Sequence, residues 1–262
     1  MNLEYITLDP SVASTRLRCI IPARELQKWG ITIGKGGTLI VMKHGFDWAK
    51  LPKHNRLIFD ICDDHFNDHL AQHYIKGCVL ADKITCNSDV MRNIILQRTG
   101  RDATVIKEPY ENNKGEPAIG DRLLWFGHMS NLDTLRPLLP HFKYPIDIIS
   151  NAKGTEIWSP DRFNARISHP CIVVLPTGEK KSKSENRFVE SIRCGRYVCP
   201  GFMPSYAPLY KFMPYMDIPA HIEIALSNKD KAIQSIIMGQ AYIEKHYSPE
   251  VVAQQWIKVL EE

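Results

Sequence analysis

The sequence predicts an α/β protein built from two doubly wound, Rossmann-like halves. Short runs rich in Val, Ile and Leu recur without clean apolar–polar alternation, as expected for parallel strands buried on both faces. Helix-like stretches separate these runs, which is typical of a parallel sheet with helices on both faces. A polar segment containing Gly and Pro, Tyr110–Asp121, interrupts this alternation and predicts a linker between the halves.

The predicted elements alternate along both halves of the chain. The strands are Tyr5–Leu8, Thr38–Lys43, Arg56–Ile61, Lys83–Asn87, Ala103–Lys107, Arg122–Phe126, Ile146–Ser150, Cys171–Leu175 and Tyr197–Pro200. The helices are Arg16–Trp29, Asp68–Leu80, Ser88–Thr99, Asn131–Leu138 and Asn186–Cys194. A last helix begins after Ser248, which can cap it, because Pro249 and Glu250 suit a first helical turn.

These elements predict a domain over residues 1–112, a second over 113–246, and a C-terminal helix over 247–262 that packs on the first domain. Two such domains predict a cleft between them. Ligands of open α/β sheets bind beyond the carboxyl ends of the strands, so polar residues that follow predicted strands are the candidate site residues.

Composition excludes several classes of protein. The chain has 262 residues, a net charge of +4 and a pI of about 8.6, which is too weakly cationic for a dedicated nucleic-acid binder. We expect a cytoplasmic protein, because no apolar run approaches the roughly 20 residues of a membrane span and the N-terminus lacks a signal-peptide pattern. Seven scattered cysteines without a Cys-x-x-Cys pair predict buried thiols, with no disulfide framework and no structural zinc site.

In the first half, two places carry candidate residues for chemistry. The loop Asp9–Arg18 can offer backbone N–H groups to an anion, with Ser14 and Arg16 at the start of a helix; the alternative is a capped helix with exposed arginines. Carboxylates crowd the end of the strand at 56–61, where they can tune a histidine for acid–base work or bind a cation. The candidates there are Asp63, Asp64 and His65; the alternative is an Asp-rich helix N-terminus. His44 also follows a predicted strand.

In the second half, Gly127 and His128 follow a predicted strand at a turn that can cradle a phosphate. The stretch Lys180–Gly195 is more informative, because cations gather at the start of a predicted helix, where the helix dipole disfavours them. This placement indicates a bound anion, whereas the alternative is a solvated basic loop. Asn186 and Glu190 share one face of the helix, so the carboxylate could accept two sugar hydroxyls.

Several motifs, taken in order, resemble those of the GT-B glycosyltransferases, in particular the retaining group that uses nucleotide-diphosphate sugars. They are the opening Ser14–Pro22, the strand end Ile58–Asp64, the step Ala81–Ser88, the pair Glu108-Pro109 and the stretch Glu190–Val198. The resemblance implies a UDP-sugar donor held by the second domain and an acceptor held by the first. It also implies that Glu190 binds the ribose and that the Gly127 turn lies under the diphosphate.

Two departures from the family pattern change the expected roles. Ser182 stands where the family often has a second Glu, and the family's usual Arg and Lys after the glycine turn are missing here. We therefore expect Lys183 and Arg187 to stabilise the leaving diphosphate, with Asp63 and His65 as further catalytic candidates. No metal ion or additional cofactor is expected.

The acceptor remains open between a glycan and a hydroxymethylated pyrimidine in DNA, as in the compact transferases of phages. A bacterial cell or a phage-infected host is the expected setting, and the oligomeric state is not predicted. The alternatives are a sugar-nucleotide epimerase or hydrolase on the same scaffold, and a non-catalytic nucleotide-sugar binding protein. A dehydrogenase is disfavoured, since no Gly-x-Gly-x-x-Gly follows a strand.

Overall fold

The computed structural model describes residues 1–42, 47–179 and 182–262, so the candidate His44 lies outside the described residues. The chain divides into two compact units. The first consists of Met1–Glu111, Ser182–Ser184 and His246–Glu262, and the second of residues 112–179 and 185–245, each within the described ranges.

The described part of the first unit is built on a parallel sheet of six strands in the order β2-β1-β3-β4-β5-β6. The strands are β1 (Asn2–Ile6), β2 (Thr32–Ile33), β3 (Thr38–Met42), β4 (Arg56–Ile61), β5 (Lys83–Cys86) and β6 (Thr104–Val105). The helices are α1 (Ala13–Thr15), which continues through a π-helical stretch (Arg16–Ile20) into α2 (Ile21–Lys28), then α3 (Ala71–Leu80) and α4 (Asp89–Thr99). A short 3-10 turn lies at Trp48–Lys50.

The described part of the second unit has a parallel sheet of five strands in the order β11-β10-β7-β8-β9. The strands are β7 (Leu123–Phe126), β8 (Ile146–Ser150), β9 (Glu156–Ile157), β10 (Ile172–Leu175) and β11 (Tyr197–Pro200). The helices are α5 (Pro160–Ile167), α6 (Asn186–Arg193), α7 (Ile218–Ser227) and α8 (Lys229–Tyr247), the last two residues of which group with the first unit. Three 3-10 segments lie at Met129–Thr134, Arg136–His141 and Pro204–Leu209. The final helix of the chain, α9 (Pro249–Glu261), belongs to the first unit.

Both faces of the first sheet are buried, as the uninterrupted apolar runs predict. Within β3, Leu39 and Val41 join a cluster on one face, whereas Ile40 joins a second cluster on the other face. Trp256 and other residues of α9 complete that second cluster, and Trp256 is fully buried. The C-terminal helix therefore supplies part of the core of the first unit.

The structure corrects one predicted helix and adds elements that we did not predict from the sequence. The predicted α-helix Asn131–Leu138 is wrong: two 3-10 segments occupy this region, since Pro137 and Pro140 cannot donate backbone hydrogen bonds. The strands β2 and β9 are two residues long and lie at sheet edges. The additional helices are α5, α7 and α8.

All seven cysteines are free and buried, which confirms the predicted thiols. Burial raises the pKa of Cys78 and Cys171 to about 12, so these thiols stay protonated and unreactive at neutral pH. Within the ranges that the structure describes, no helix is both long and apolar enough to cross a membrane.

A buried ion pair joins the π-helical stretch to the sheet of the first unit. Arg18 donates through Nε to Asp60 Oδ2 at 2.9 Å and also contacts Asp60 Oδ1 and the Ile106 carbonyl oxygen. Thr85 donates a further hydrogen bond to Asp60 at 2.6 Å. Both charged side chains are fully buried. Burial lowers the pKa of Arg18, but the adjacent Asp60 more than offsets this effect, so the guanidinium remains charged.

Replacing Arg18 with Met is expected to destabilise the protein by about 3–5 kcal/mol, because Asp60 would be left buried without a counter-ion. The matched control is Arg92→Met, which removes an exposed, solvent-screened ion pair with Asp102 and should cost much less than Arg18→Met. Urea unfolding measures both. If Arg18→Met does not fold, the double variant Arg18→Met/Asp60→Leu should recover a folded protein. Equal losses in the two single variants would contradict the role of the buried pair.

A buried histidine predicts acid sensitivity in the second unit. His221 is buried, its Nε2 lies 2.9 Å from the Tyr197 hydroxyl, and its Nδ1 has no hydrogen-bond partner among the described residues. Burial lowers the pKa of His221 to about 4, so the unfolded chain takes up a proton first as the pH falls. Stability should therefore be complete above about pH 6.5 and decline towards pH 4 by up to about 3 kcal/mol.

Urea unfolding at pH 7 and pH 5 measures this effect in His221→Gln, whose side chain does not titrate, and in His169→Gln, which replaces an exposed histidine. We expect a weaker pH dependence only in the His221 variant. The same pH dependence in the wild type and in both variants would show that His221 does not set the acid sensitivity.

Candidate functional site

Arg187 lies against the carboxyl end of β7. It is the second residue of α6, and its Nη1 donates to the carbonyl oxygen of Phe126, the last residue of β7, at 3.1 Å. The buried Tyr206 lies nearby: burial raises the pKa of its hydroxyl, and the Arg187 charge partly offsets this effect. A Cβ atom on Gly127 would lie 2.9 Å from Arg187 Nη1. A side chain at 127 would therefore have to push the guanidinium aside from this position.

Glu190 lies one helical turn after Arg187 on the same face of α6. Its side chain is buried, and its Oε2 accepts a hydrogen bond from Nδ2 of Asn112 at 2.7 Å. The register of α6 is fixed by three buried apolar residues, Phe188, Val189 and Ile192. A cation and a carboxylate are thus held together on a helix that cannot rotate without exposing its apolar face.

The other predicted donor residues have more local contacts. Asn186 is the first residue of α6 and accepts from the backbone N–H of Arg187 at 2.7 Å through its side chain. His128 is exposed and caps the 3-10 segment that begins at Met129. Its Nδ1 accepts a hydrogen bond from the backbone N–H of Ser130 at 3.2 Å. Lys183 is half-buried and belongs to the segment Ser182–Ser184, which groups with the first unit, apart from Arg187 and Glu190 in the second.

The predicted phosphate loop of the first unit contains an ion pair and a buried hydroxyl. Arg16 donates to both carboxylate oxygens of Glu111, at 2.7 and 3.0 Å, and to the carbonyl oxygen of Ser11 at 2.7 Å. Ser14 Oγ and Thr15 Oγ1 are buried without a hydrogen-bond partner within the described ranges. Arg16 is thus held by a carboxylate, while the neighbouring hydroxyls retain unused hydrogen-bonding capacity.

The carboxylates at the end of β4 and after it differ in burial and in their partners. Asp60 is neutralised by Arg18 inside the core, whereas Asp63, Asp64 and His65 are only partly buried. Nδ1 of His65 lies 2.7 Å from Oδ2 of Asp68, which the sequence analysis did not single out. A backbone hydrogen bond from Leu70, followed by the bond from His65, holds the pKa of Asp68 below its usual range. An ionised carboxylate therefore orients the imidazole, an arrangement that suits a general base.

The part of the chain that the structure describes holds no cluster of three His, Cys, Asp or Glu side chains suited to a metal ion. Within the second unit, the structure brings together Gly127, Arg187 and Glu190. Sequence reasoning missed Asn112, Tyr206 and Asp68. Only Asp68 left a local signal, since it follows His65 by three residues, whereas the other contacts join distant parts of the chain.

Solved structures share this architecture over the full chain. HepE of Anabaena, solved in complex with UDP-glucose, matches with a TM-score of 0.67 and 11% identity, covering 99% of both chains. The β-glucosyltransferase of T4 phage, also solved with UDP-glucose, matches with a TM-score of 0.61 and 11% identity over 99% of both chains. The chain has the GT-B glycosyltransferase fold.

The GT-B fold is also that of TarM, which matches with a TM-score of 0.60 and 12% identity, over 86% of this chain and 55% of TarM. No protein-family model matches the chain, and no curated protein does. At these identities the comparisons show the predicted GT-B fold.

Proposed function

We propose that the chain is a nucleotide-sugar glycosyltransferase that moves a sugar from a UDP-sugar to an acceptor hydroxyl. The observation that carries this proposal is the Arg187 guanidinium held at the Gly127 turn, with the Glu190 carboxylate one helical turn away. A cation beside a glycine turn suits a diphosphate, and a buried carboxylate suits the ribose hydroxyls. The similar HepE and T4 structures contain UDP-glucose, which supports UDP as the nucleotide.

In the proposed reaction, the bond between the sugar's anomeric carbon and the diphosphate oxygen breaks, and the diphosphate departs with the electron pair. The acceptor oxygen forms the new bond to that carbon and loses its proton. Arg187 stabilises the growing charge of the diphosphate, with Lys183 as the second cation and Asn186 and His128 as further donor contacts. The pair of His65 and Asp68 is the candidate acceptor of the proton, near Asp63.

For the acceptor, we propose a saccharide hydroxyl, with DNA as the alternative. Three arginines of the first unit that could contact DNA phosphates have protein partners in this structure: Arg92 forms an exposed ion pair with Asp102, and Arg98 donates to Asn67 at 2.6 Å. Arg101 donates to the carbonyl oxygens of Cys78 and Ala81 at the end of α3. We propose that the first unit binds this acceptor, with Ser14, Arg16 and Asp64 as candidate contacts, and that the sugar is transferred with retention.

Arg187→Ala should weaken binding of UDP by at least tenfold, because a lost charge-assisted hydrogen bond costs about 1.5–3 kcal/mol. Gly127→Ala should weaken binding by a smaller factor, because the added Cβ would lie 2.9 Å from Nη1 and push the flexible end of Arg187 aside. The matched control is Gly34→Ala, since a Cβ at Gly34 meets nothing within 4 Å. Calorimetric titration with UDP measures both glycine variants and Arg187→Ala. Unchanged affinity in Gly127→Ala and Arg187→Ala would remove the proposed diphosphate contact.

Incubation with UDP-glucose and either oligosaccharides or hydroxymethylated DNA, followed by intact-mass analysis, tests the acceptor. We expect a gain of one hexose on a saccharide. Transfer to DNA alone, with a steep dependence on salt, would overturn the acceptor assignment. UDP release without any acceptor would indicate a hydrolase, and UDP-glucose isomerised without transfer would indicate an epimerase. Binding without turnover would indicate a non-catalytic nucleotide-sugar protein.

A further inference from the structure

The segment that the sequence predicts as a linker is bound along the end of α6. The backbone N–H of Gly115 donates to the carbonyl oxygen of Arg193 at 3.0 Å, and that of Ala118 donates to the carbonyl oxygen of Gly195 at 3.0 Å. Nε2 of the buried Gln240 donates to the Gly115 carbonyl oxygen at 2.8 Å. The segment therefore has a defined path across the helix that carries Arg187 and Glu190.

Two glycines make this path a close fit. A Cβ on Gly115 would lie 2.2 Å from the carbonyl oxygen of Cys194. Gly195 has a φ of +75°, and a Cβ there would lie 2.3 Å from the carbonyl oxygen of Glu116. Larger residues at either position would push the segment away from α6, so the close contact requires glycine at both positions.

Hydrogen bonds fix both the backbone and the side chain of Asn112. Nε of Arg193 donates to the Asn112 carbonyl oxygen at 3.3 Å, and Arg193 is itself paired with Glu244. With the backbone fixed in this way, the side-chain amide of Asn112 donates to Oε2 of Glu190 at 2.7 Å. The chain enters the second unit at this residue, so the contact lies within that unit.

We infer that Asn112 is a positioning residue that sets the orientation of Glu190 and, through it, the selection of a ribose-bearing nucleotide. This inference rests on the proposed function. A hydrogen bond from an amide N–H fixes the rotamer of the carboxylate. An oriented carboxylate accepts hydrogen bonds from the ribose 2′ and 3′ hydroxyls, whereas a nucleotide lacking them leaves a buried acceptor without those donors.

Titration of UDP and 2′,3′-dideoxyuridine 5′-diphosphate against wild type, Asn112→Ala and Glu190→Gln tests this inference. The wild type should prefer UDP by more than tenfold. Asn112→Ala should lose most of that preference by binding UDP more weakly, while its affinity for the dideoxy nucleotide stays unchanged. The double variant Asn112→Ala/Glu190→Gln should lose no more of the preference for UDP than Glu190→Gln alone, because both changes act on one carboxylate.

The control is Asn113→Ala, which truncates the neighbouring exposed asparagine and should retain the preference of the wild type. If Asn112 had a purely structural role, Asn112→Ala would weaken the binding of both nucleotides equally. An unchanged ratio of the two affinities in this variant therefore overturns the inference. A wild type that binds UDP without preferring it over the dideoxy nucleotide also overturns it and leaves the proposed function intact. A wild type that binds neither nucleotide removes the proposed function and the inference together.

Discussion

The approach of the Arg187 guanidinium to the end of β7 is the constraint on which the proposed site depends. Gly127 leaves room for that approach, the Phe126 carbonyl oxygen accepts a hydrogen bond from the guanidinium, and the buried face of α6 holds the helix in register. Because Glu190 is one turn further along the same helix, the same constraint places the carboxylate. A diphosphate requires a fixed positive charge in a partly desolvated place, and this arrangement provides it at little entropic cost.

In the first unit, the fully buried charges are paired with each other. Arg18 and Asp60 neutralise each other inside the core, so they stabilise the π-helical stretch and leave no free charge for a ligand. The polar groups that remain near the ends of β1 and β4 include the hydroxyls of Ser14 and Thr15 and the imidazole of His65, oriented by Asp68. Hydroxyls and an oriented imidazole suit an acceptor hydroxyl, as the proposed reaction requires.

The class of fold and most strands could be predicted from the sequence, because buried parallel strands leave long apolar runs. Arg56–Ile61, Ile146–Ser150 and Tyr197–Pro200 have the bounds that those runs indicate. The edge strands β2 and β9 are too short to leave a periodic signal. The helix α5 was predictable from Ser159, which caps it, and Pro160 at its first position.

For the candidate site, local chemistry indicated Arg187 and Glu190, since cations at the start of a helix are disfavoured without an anion. Asn112 could not be found in this way. Its contact with Glu190 joins residues 78 positions apart, and a polar segment with Gly and Pro predicts a linker whether or not it packs on a helix. The pairing of Asp60 could not be found in this way either, because nothing local to β4 reveals that Arg18 neutralises it.

A crystal structure of the protein with UDP tests the central claim most directly. The account predicts the diphosphate beside the Gly127 turn, within hydrogen-bond distance of Arg187, and the ribose hydroxyls on the Glu190 carboxylate. A nucleotide bound elsewhere in the chain, with Arg187 still on the Phe126 carbonyl oxygen and Glu190 touching only protein, would contradict it.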